Sequence, residues 1–221
     1  MDGEVVVVVI GAGGHAAEVC SYALDLQAAG APVRLLGCVD DHKPVGRYGP
    51  VEVLGGFGVF EALVRSEGAR LRCLTAVGDN ETRRRLVTRV DAAAGGRASW
   101  WTLRHPSAVV GRDAQIGPGT LLAPGSIVTA RVRIGAHCIV NVNASVSHDT
   151  VVEDFVNVNP GAVVAGNVRL GTSAYVGAGS TVIEKITIGA GAVVGAGAAV
   201  VRDVPARVTT VGVPARVIRS H

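Results

Sequence analysis

VIEKITIGAGAVVGAGAAV, residues 182–200, carries an aliphatic residue at every sixth position: Val182, Ile188, Val194 and Val200. The spacing runs back without a break through Val176, Leu170, Val164, Val158, Val152 and Val146 to Val110, sixteen rungs in all. Two positions before most rungs stands a small residue, such as Thr120, Ser126, Ala144, Ala162, Ala174 or Ala192. Neither a helical period of 3.6 nor a flat-strand period of 2 generates this pattern, whereas one short strand and one sharp turn per six residues does. The ladder predicts a parallel β-helix.

In such a coil the aliphatic rung points into the prism, and the small residue sits where the backbone turns a corner without room for a larger side chain. Gly follows the rung at 111, 117, 135, 171, 177, 189 and 195, where a missing Cβ is expected to permit backbone angles that other residues resist. Three faces close a triangle, so residues eighteen apart stack at about 4.8 Å per coil. Sixteen rungs make a little over five coils.

The whole composition bounds the function. With 221 residues, 48% of them hydrophobic, the chain can bury one large or two modest cores. Aromatic residues are only 4%, in keeping with thin aliphatic layers. The net charge of +3 comes almost wholly from Arg, since Lys43 and Lys185 are the only lysines. That excess is too small and scattered to argue for a nucleic-acid partner. Cys20, Cys38, Cys73 and Cys138 form no Cys-x-x-Cys pair and are expected to be buried free thiols. The start carries Asp2 and Glu4 in place of a basic segment, and the apolar run Val5 to Ile10 is far too short to span a bilayer. The expectation is a soluble protein of the reducing cytoplasm with no membrane partner.

Before the ladder the pattern changes. Val5 to Ile10 suits a central strand of a parallel sheet and ends in Gly11-Ala-Gly-Gly-His15. Helical periodicity follows from Ala16 to about Ala28, a second strand from Leu35 to Val39, and a helix from Phe57 to about Ser66. A third strand, Leu71 to Val77, precedes a helix from Asn80 to Ala93, capped by Asp79 or Asn80. This alternation predicts a small Rossmann-like α/β domain, with a boundary near residue 104: residues 1–104, then the β-helix over 105–221. Gly11-x-Gly13-x-x-Ala16, with Asp40 and Asp41 further on, is close to a dinucleotide fingerprint. Such a turn lets a phosphate approach backbone N–H groups at a helix N-terminus. It fits a nucleotide or nucleotide-sugar site, or a tight turn that holds no ligand.

The hexad form in Ile188-Gly-Ala-Gly-Ala-Val resembles the hexapeptide-repeat acyltransferases. That likeness implies a left-handed coil, a homotrimer and the use of acetyl- or acyl-CoA. Further motifs narrow it: the GAGGHA turn, Asp40-Asp41, Val77-Gly-Asp-Asn-Glu-Thr-Arg-Arg, His105-Pro-Ser-Ala and Gly212-Val-Pro-Ala-Arg. Together they resemble the sialic acid O-acetyltransferase and nucleotide-amino-sugar N-acetyltransferase group over nearly the whole chain. The resemblance implies acetyl-CoA as acyl donor. It places the nucleotide sugar at Gly11, Gly13, Gly14, His15, Asp40, Asp41 and Lys43, and the donor near Asn157, Gly166, Ala196 and Arg216.

The middle coils interrupt the aliphatic pattern with Asn141, Asn143, Ser147, His148, Asp149, Asn157 and Asn159. Asn141 and Asn159 are eighteen apart and are expected to stack, as amides satisfying one another or with Asn141 near the substrate, as the resemblance implies. His148 falls at a corner whose neighbouring coils carry Ala130 and Gly166, small residues that leave space beside the ring. An amine attacks a thioester through its unprotonated lone pair, and an imidazole of ordinary pKa near 6.5 can take the proton then released. The candidate catalytic residues are therefore His148, Asp149 and Asn141, with Asp149 orienting the ring as the resemblance implies. A backbone N–H near Gly166 is a candidate donor to the thioester oxygen. The chain departs from the pattern of the group it resembles in two places: a bacillosamine N-acetyltransferase of that group carries Glu where this chain has Asp149, and the group places a ligand-contacting His where this chain has Asn157. His137 and His148 are the only histidines in the coils, too few for a catalytic zinc site, so no metal is expected. A hydroxyl acceptor, and a non-catalytic trimeric scaffold, remain as alternatives to amine acetylation.

Overall fold

The computed structural model describes residues 4–221; Asp2, part of the expected acidic start, lies outside them. The chain divides into two compact units, one ending at Pro106 and the other spanning Ser107–His221. The division falls two residues beyond the expected boundary at 104. His105 explains the difference: its Nε2 lies 3.3 Å from Asp25 Oδ2, and its ring meets Tyr22 edge-on at 5.6 Å, which ties it to the first helix.

The first unit is an α/β layer fold. Its elements are β1 (Val5–Ile10), α1 (Gly14–Ala28), β2 (Val33–Val39), β3 (Gly46–Tyr48), β4 (Val51–Gly55), α2 (Phe57–Glu67), β5 (Leu71–Thr75), α3 (Asn80–Ala94) and β6 (Ser99–Trp100). The sheet order is β3-β4-β2-β1-β5-β6, parallel throughout except for the β3–β4 hairpin. β1 is paired on both edges and covered on both faces, which is why Val6 to Val9 are 0% exposed and the strand is continuously aliphatic. Val6, Val8 and Ile10 pack against Phe57, Phe60 and Val64 of α2 and Val90 of α3. The chain leaves β1 toward β2 on one side while β5 lies on the other, so a crevice opens beyond Ile10. Asp79 is the cap of α3, its carboxylate accepting the Thr82 N–H at 2.8 Å. The β3–β4 hairpin, of three and five residues, has no counterpart among the expected elements.

The second unit is the left-handed parallel β-helix. From Val109 to Val200 its strands are two residues long and pair in parallel with the strands eighteen residues away, and the unit closes with an antiparallel pair, Val208–Val211 and Arg216–Ser220. Val110, Val128, Val146, Val164, Val182 and Val200 lie in one sheet, and Leu122, Val140, Val158, Val176 and Val194 in a second. Ile116, Ile134, Val152, Leu170 and Ile188 form the third. Every rung from Leu122 to Val200 is at most 4% exposed. At about 1.5–3 kcal/mol for each fully buried aliphatic side chain, the stacked rungs are the main favourable term of this unit.

Two expectations about the hexad are corrected. The glycines that follow the rungs are not there for unusual backbone angles: a Cβ on Gly117 would lie 2.5 Å from the Gly135 backbone, and one on Gly177 2.5 Å from the Val194 carbonyl. They let successive coils touch. Positive φ falls two residues later, at Arg131, His137, Asn143, Asp149, Phe155, Asn167, Ser173 and Lys185 among others, all between 54° and 60°. The small corner position also admits larger groups, since Val132, Val156, Val168 and Ile186 occupy it and are buried. Among the described residues no helix is long and apolar enough to cross a membrane.

Candidate active site

His148 projects from the corner that follows the strand Ser145–Val146. Its position is held by the coils on either side: the Asp149 N–H donates to the Ala130 carbonyl at 3.1 Å, and the His148 carbonyl accepts from the Asn167 N–H at 2.9 Å. The imidazole lies against Gly166, where a Cβ would stand 2.6 Å from Cε1 and 2.7 Å from Nε2. The glycine thus makes the space that the spacing of eighteen predicts. His148 Nδ1 is 2.8 Å from Asp149 Oδ2. That contact assigns the proton to Nδ1 and leaves Nε2 with its lone pair, on a side chain that is 55% exposed.

Asp149 has a second partner that the sequence reading did not assign. Arg131, one coil earlier, donates from Nε to Oδ1 at 2.7 Å and from Nη2 to Oδ2 at 2.9 Å. The guanidinium, and after it the His148 ring, hold this carboxyl well below the usual carboxylate range. The spacing 149 minus 131 is one coil, so the register carried the signal. The N–H of Gly166 donates to no protein acceptor among the described residues, beside the His148 ring at the same corner.

The remaining predicted residues are dispersed. Asn141 sits at the preceding corner of the same coil, and its Oδ1 accepts from the Val142 N–H at 2.7 Å. Asn159 stacks one coil on, but its amide donates to the Val176 carbonyl at 2.8 Å. The two amides satisfy the backbone and not each other, because each corner offers a nearer backbone partner. Asn157 is 1% exposed, so its side chain presents almost no surface to a ligand. Ala196 is exposed at another corner, and Arg216 lies on the C-terminal strand Arg216–Ser220. Ala215, next to it, is bound to Ala199 through its N–H at 2.8 Å.

In the first unit, a pocket of about 220 Å³ opens at the end of β1, lined by Gly11, Asp40, Asp41, Phe57, Thr82 and Arg89 among others. Gly11 has φ +101°, and a Cβ there would strike Val77 at 2.9 Å. Cβ atoms on Gly13 and Gly14 would meet nothing within 4 Å, leaving the turn open for close approach. The two carboxylates divide the work. Asp40 accepts from the N–H groups of Ala12 (2.8 Å), His42 (2.8 Å) and Lys43 (3.2 Å), while Lys43 Nζ donates to the Ala12 carbonyl at 2.9 Å. Asp41 accepts from the Phe57 N–H at 2.8 Å and from Arg89 at 2.6 Å, and these bonds lower its pKa. The Arg89 guanidinium lies 3.8 Å from the Phe57 ring centroid. His15 Nδ1 meets Glu18 at 2.9 Å, and its Nε2 is buried with no hydrogen-bond partner among the described residues. His15, Gly13, Gly14 and Lys43 flank the pocket and do not line it. Thr82, Leu86 and Arg89 line it and were missed; their i, i+4, i+7 spacing on α3 was the available signal.

All four cysteines are free and buried. Cys20 and Cys38, far apart in sequence, have their sulfurs 3.4 Å apart where α1 crosses β2. Among the described residues no three His, Cys, Asp or Glu side chains converge as a metal site.

Comparison with known proteins places this architecture. Residues 6–90 match the PglD N-terminal domain family. No curated protein matches significantly. A perosamine N-acetyltransferase variant from Caulobacter crescentus, in complex with CoA and GDP-perosamine, is 33% identical over 97% of each chain, with a TM-score of 0.86. The acetyltransferase domain of PglB from Neisseria gonorrhoeae, in complex with acetyl coenzyme A, is 30% identical over 98% of this chain and 100% of that one (TM-score 0.84). WeeI from Acinetobacter baumannii is 29% identical over 96% and 99% (TM-score 0.83). With both units matched end to end at 33% identity, the chain belongs to the hexapeptide-repeat acyltransferases, in the group of sialic acid O-acetyltransferases and nucleotide-amino-sugar N-acetyltransferases.

Proposed function

We propose that this acyltransferase moves an acetyl group from acetyl-CoA to the amine of a nucleotide-linked sugar, with His148 as general base. The observation that carries the reading is the His148–Asp149 contact at 2.8 Å, which leaves Nε2 free to accept a proton at an exposed corner. The amine nitrogen bonds to the thioester carbonyl carbon and gives its proton to Nε2; the C–S bond then breaks, and the proton passes to the departing thiolate. No covalent acyl-enzyme is needed. The Gly166 N–H, which has no acceptor among the described residues, is the donor we assign to the oxygen that gains charge.

The complexes of the relatives with CoA and GDP-perosamine support these two substrates. We assign the nucleotide to the first unit, where the open glycine turn, Asp40 and Asp41 border the pocket at the end of β1, and the acetyl-CoA contacts to Gly166, Ala196 and Arg216. A homotrimer is supported by one outer sheet face on which Val109 (59%), Ile127 (42%) and Val163 (42%) stand exposed beside the His148 corner. The four free thiols fit a cytoplasmic setting.

The test is a thiol-release assay pairing acetyl-CoA with UDP-, GDP- and dTDP-linked amino sugars and with a hydroxyl sugar. Turnover is expected with one nucleotide-linked amine, and His148→Ala is expected to lower it about 10²–10⁴-fold. Turnover of the hydroxyl sugar alone would overturn the amine assignment. A loss of only two- or threefold in His148→Ala would remove the base.

A further inference from the structure

We propose that Arg131 is a positioning residue for the transfer, acting through Asp149 to hold the His148 ring in register. The inference rests on the assignment of His148 as base. Asp149 is a short side chain immediately next to the histidine it serves, 33% exposed, and among the described residues its carboxylate is engaged by Arg131 and His148 alone. Oδ2 accepts from His148 Nδ1 and from Arg131 Nη2 at once, while Oδ1 is taken by Arg131 Nε. A planar fork gripping both oxygens fixes the plane of the carboxylate, and with it the direction along which Oδ2 meets the imidazole.

The backbone prepares this grip. Arg131 and Asp149 occupy equivalent turn positions in consecutive coils, with φ 56° and 60°, so their side chains leave the corner in parallel. An exposed ion pair of this kind contributes little to stability, and Arg131 is 61% exposed, so its replacement leaves the fold intact.

The experiment measures kcat and both KM values for Arg131→Ala, Arg131→Lys, Asp149→Ala, Arg131→Ala/Asp149→Ala and His148→Ala in the full chain. General-base catalysis is worth about 10²–10⁴-fold; Arg131→Ala is expected to forfeit about tenfold of it in kcat, with both KM values within about threefold. Arg131→Lys, which keeps the charge and loses the fork, is expected to fall between. The double variant is expected to be no slower than Asp149→Ala, since Arg131 works only through that carboxylate. Losses that multiply in the double variant, a KM effect without a kcat effect, or wild-type turnover in Arg131→Ala each overturn the proposal. If His148→Ala is inactive and Arg131→Ala is unimpaired, the positioning role alone is wrong; if His148→Ala keeps full turnover, the base assignment falls and takes this role with it.

Discussion

The His148 ring lies directly over Gly166, so close that a Cβ on residue 166 would come 2.6 Å from Cε1 and 2.7 Å from Nε2. The neighbour that must yield is the end of an exposed side chain and not backbone, so Gly166→Ala is expected to leave the thermal midpoint nearly unchanged. The ring must move, and a displacement on the order of 1 Å can cost about 10²-fold in rate. Steady-state turnover alongside a melting curve checks this. A fall in stability with no fall in kcat would show that Gly166 serves packing alone.

Gly177 and Gly179 separate the two roles glycine plays in each hexad. A Cβ on Gly177 would lie within 2.7 Å of backbone atoms of the next coil, so Gly177→Ala is expected to destabilise by about 1–3 kcal/mol. Gly179 has φ +63° and open space, and Asn143 already holds the equivalent turn position two coils earlier at φ 54°. Gly179→Asn is expected to stay within about 0.5 kcal/mol of wild type. Denaturant unfolding of both variants decides; equal costs would contradict the packing role of the glycine after the rung.

Leu170 is a fully buried rung between Val152 and Ile188. Leu170→Ala removes apolar contact on both stacked neighbours and leaves a void, so a loss of about 2–5 kcal/mol is expected. Unfolding of the β-helix followed by circular dichroism measures it, and a cost under about 1 kcal/mol would argue that the coil collapses around the gap.

Glu153 ties two coils together through its carboxylate, accepting from Thr172 N–H at 2.9 Å, Thr172 Oγ1 at 2.8 Å and Arg169. The Thr172 bonds, aided by Arg169, lower its pKa. A carboxyl depressed on folding stabilises above its unfolded value, about 4.3 for Glu, and that contribution fades as pH falls through the folded value. The gap in thermal midpoint between wild type and Glu153→Gln is therefore expected to be widest above about pH 5 and to narrow in stronger acid. A gap that stays flat from pH 7 to pH 3 would remove the ionised carboxylate from the account.

Much of the site was legible because a coil of eighteen residues turns sequence distance into contact. His148 over Gly166, Asn141 beneath Asn159, and even Arg131 beneath Asp149 follow from that one number. The first unit has no such ruler. That Asp40 fastens the glycine turn while Asp41 caps α2 and grips Arg89 depends on where separate elements meet, and so does the approach of Cys20 to Cys38.

The sequence by itself determined the prism, its sixteen rungs, the α/β unit before it and the corner that bears His148, since each rests on local periodicity or a fixed repeat. Only the tertiary structure decided what each polar side chain binds. It sent the Asn141 and Asn159 amides to the backbone, buried Asn157, and gave the Asp149 carboxylate two partners at once. Hydrophobic burial needs no direction, so spacing alone foretells it. A hydrogen bond needs a donor and an acceptor aligned within a few tenths of an ångström, and that alignment exists only once the coils are stacked.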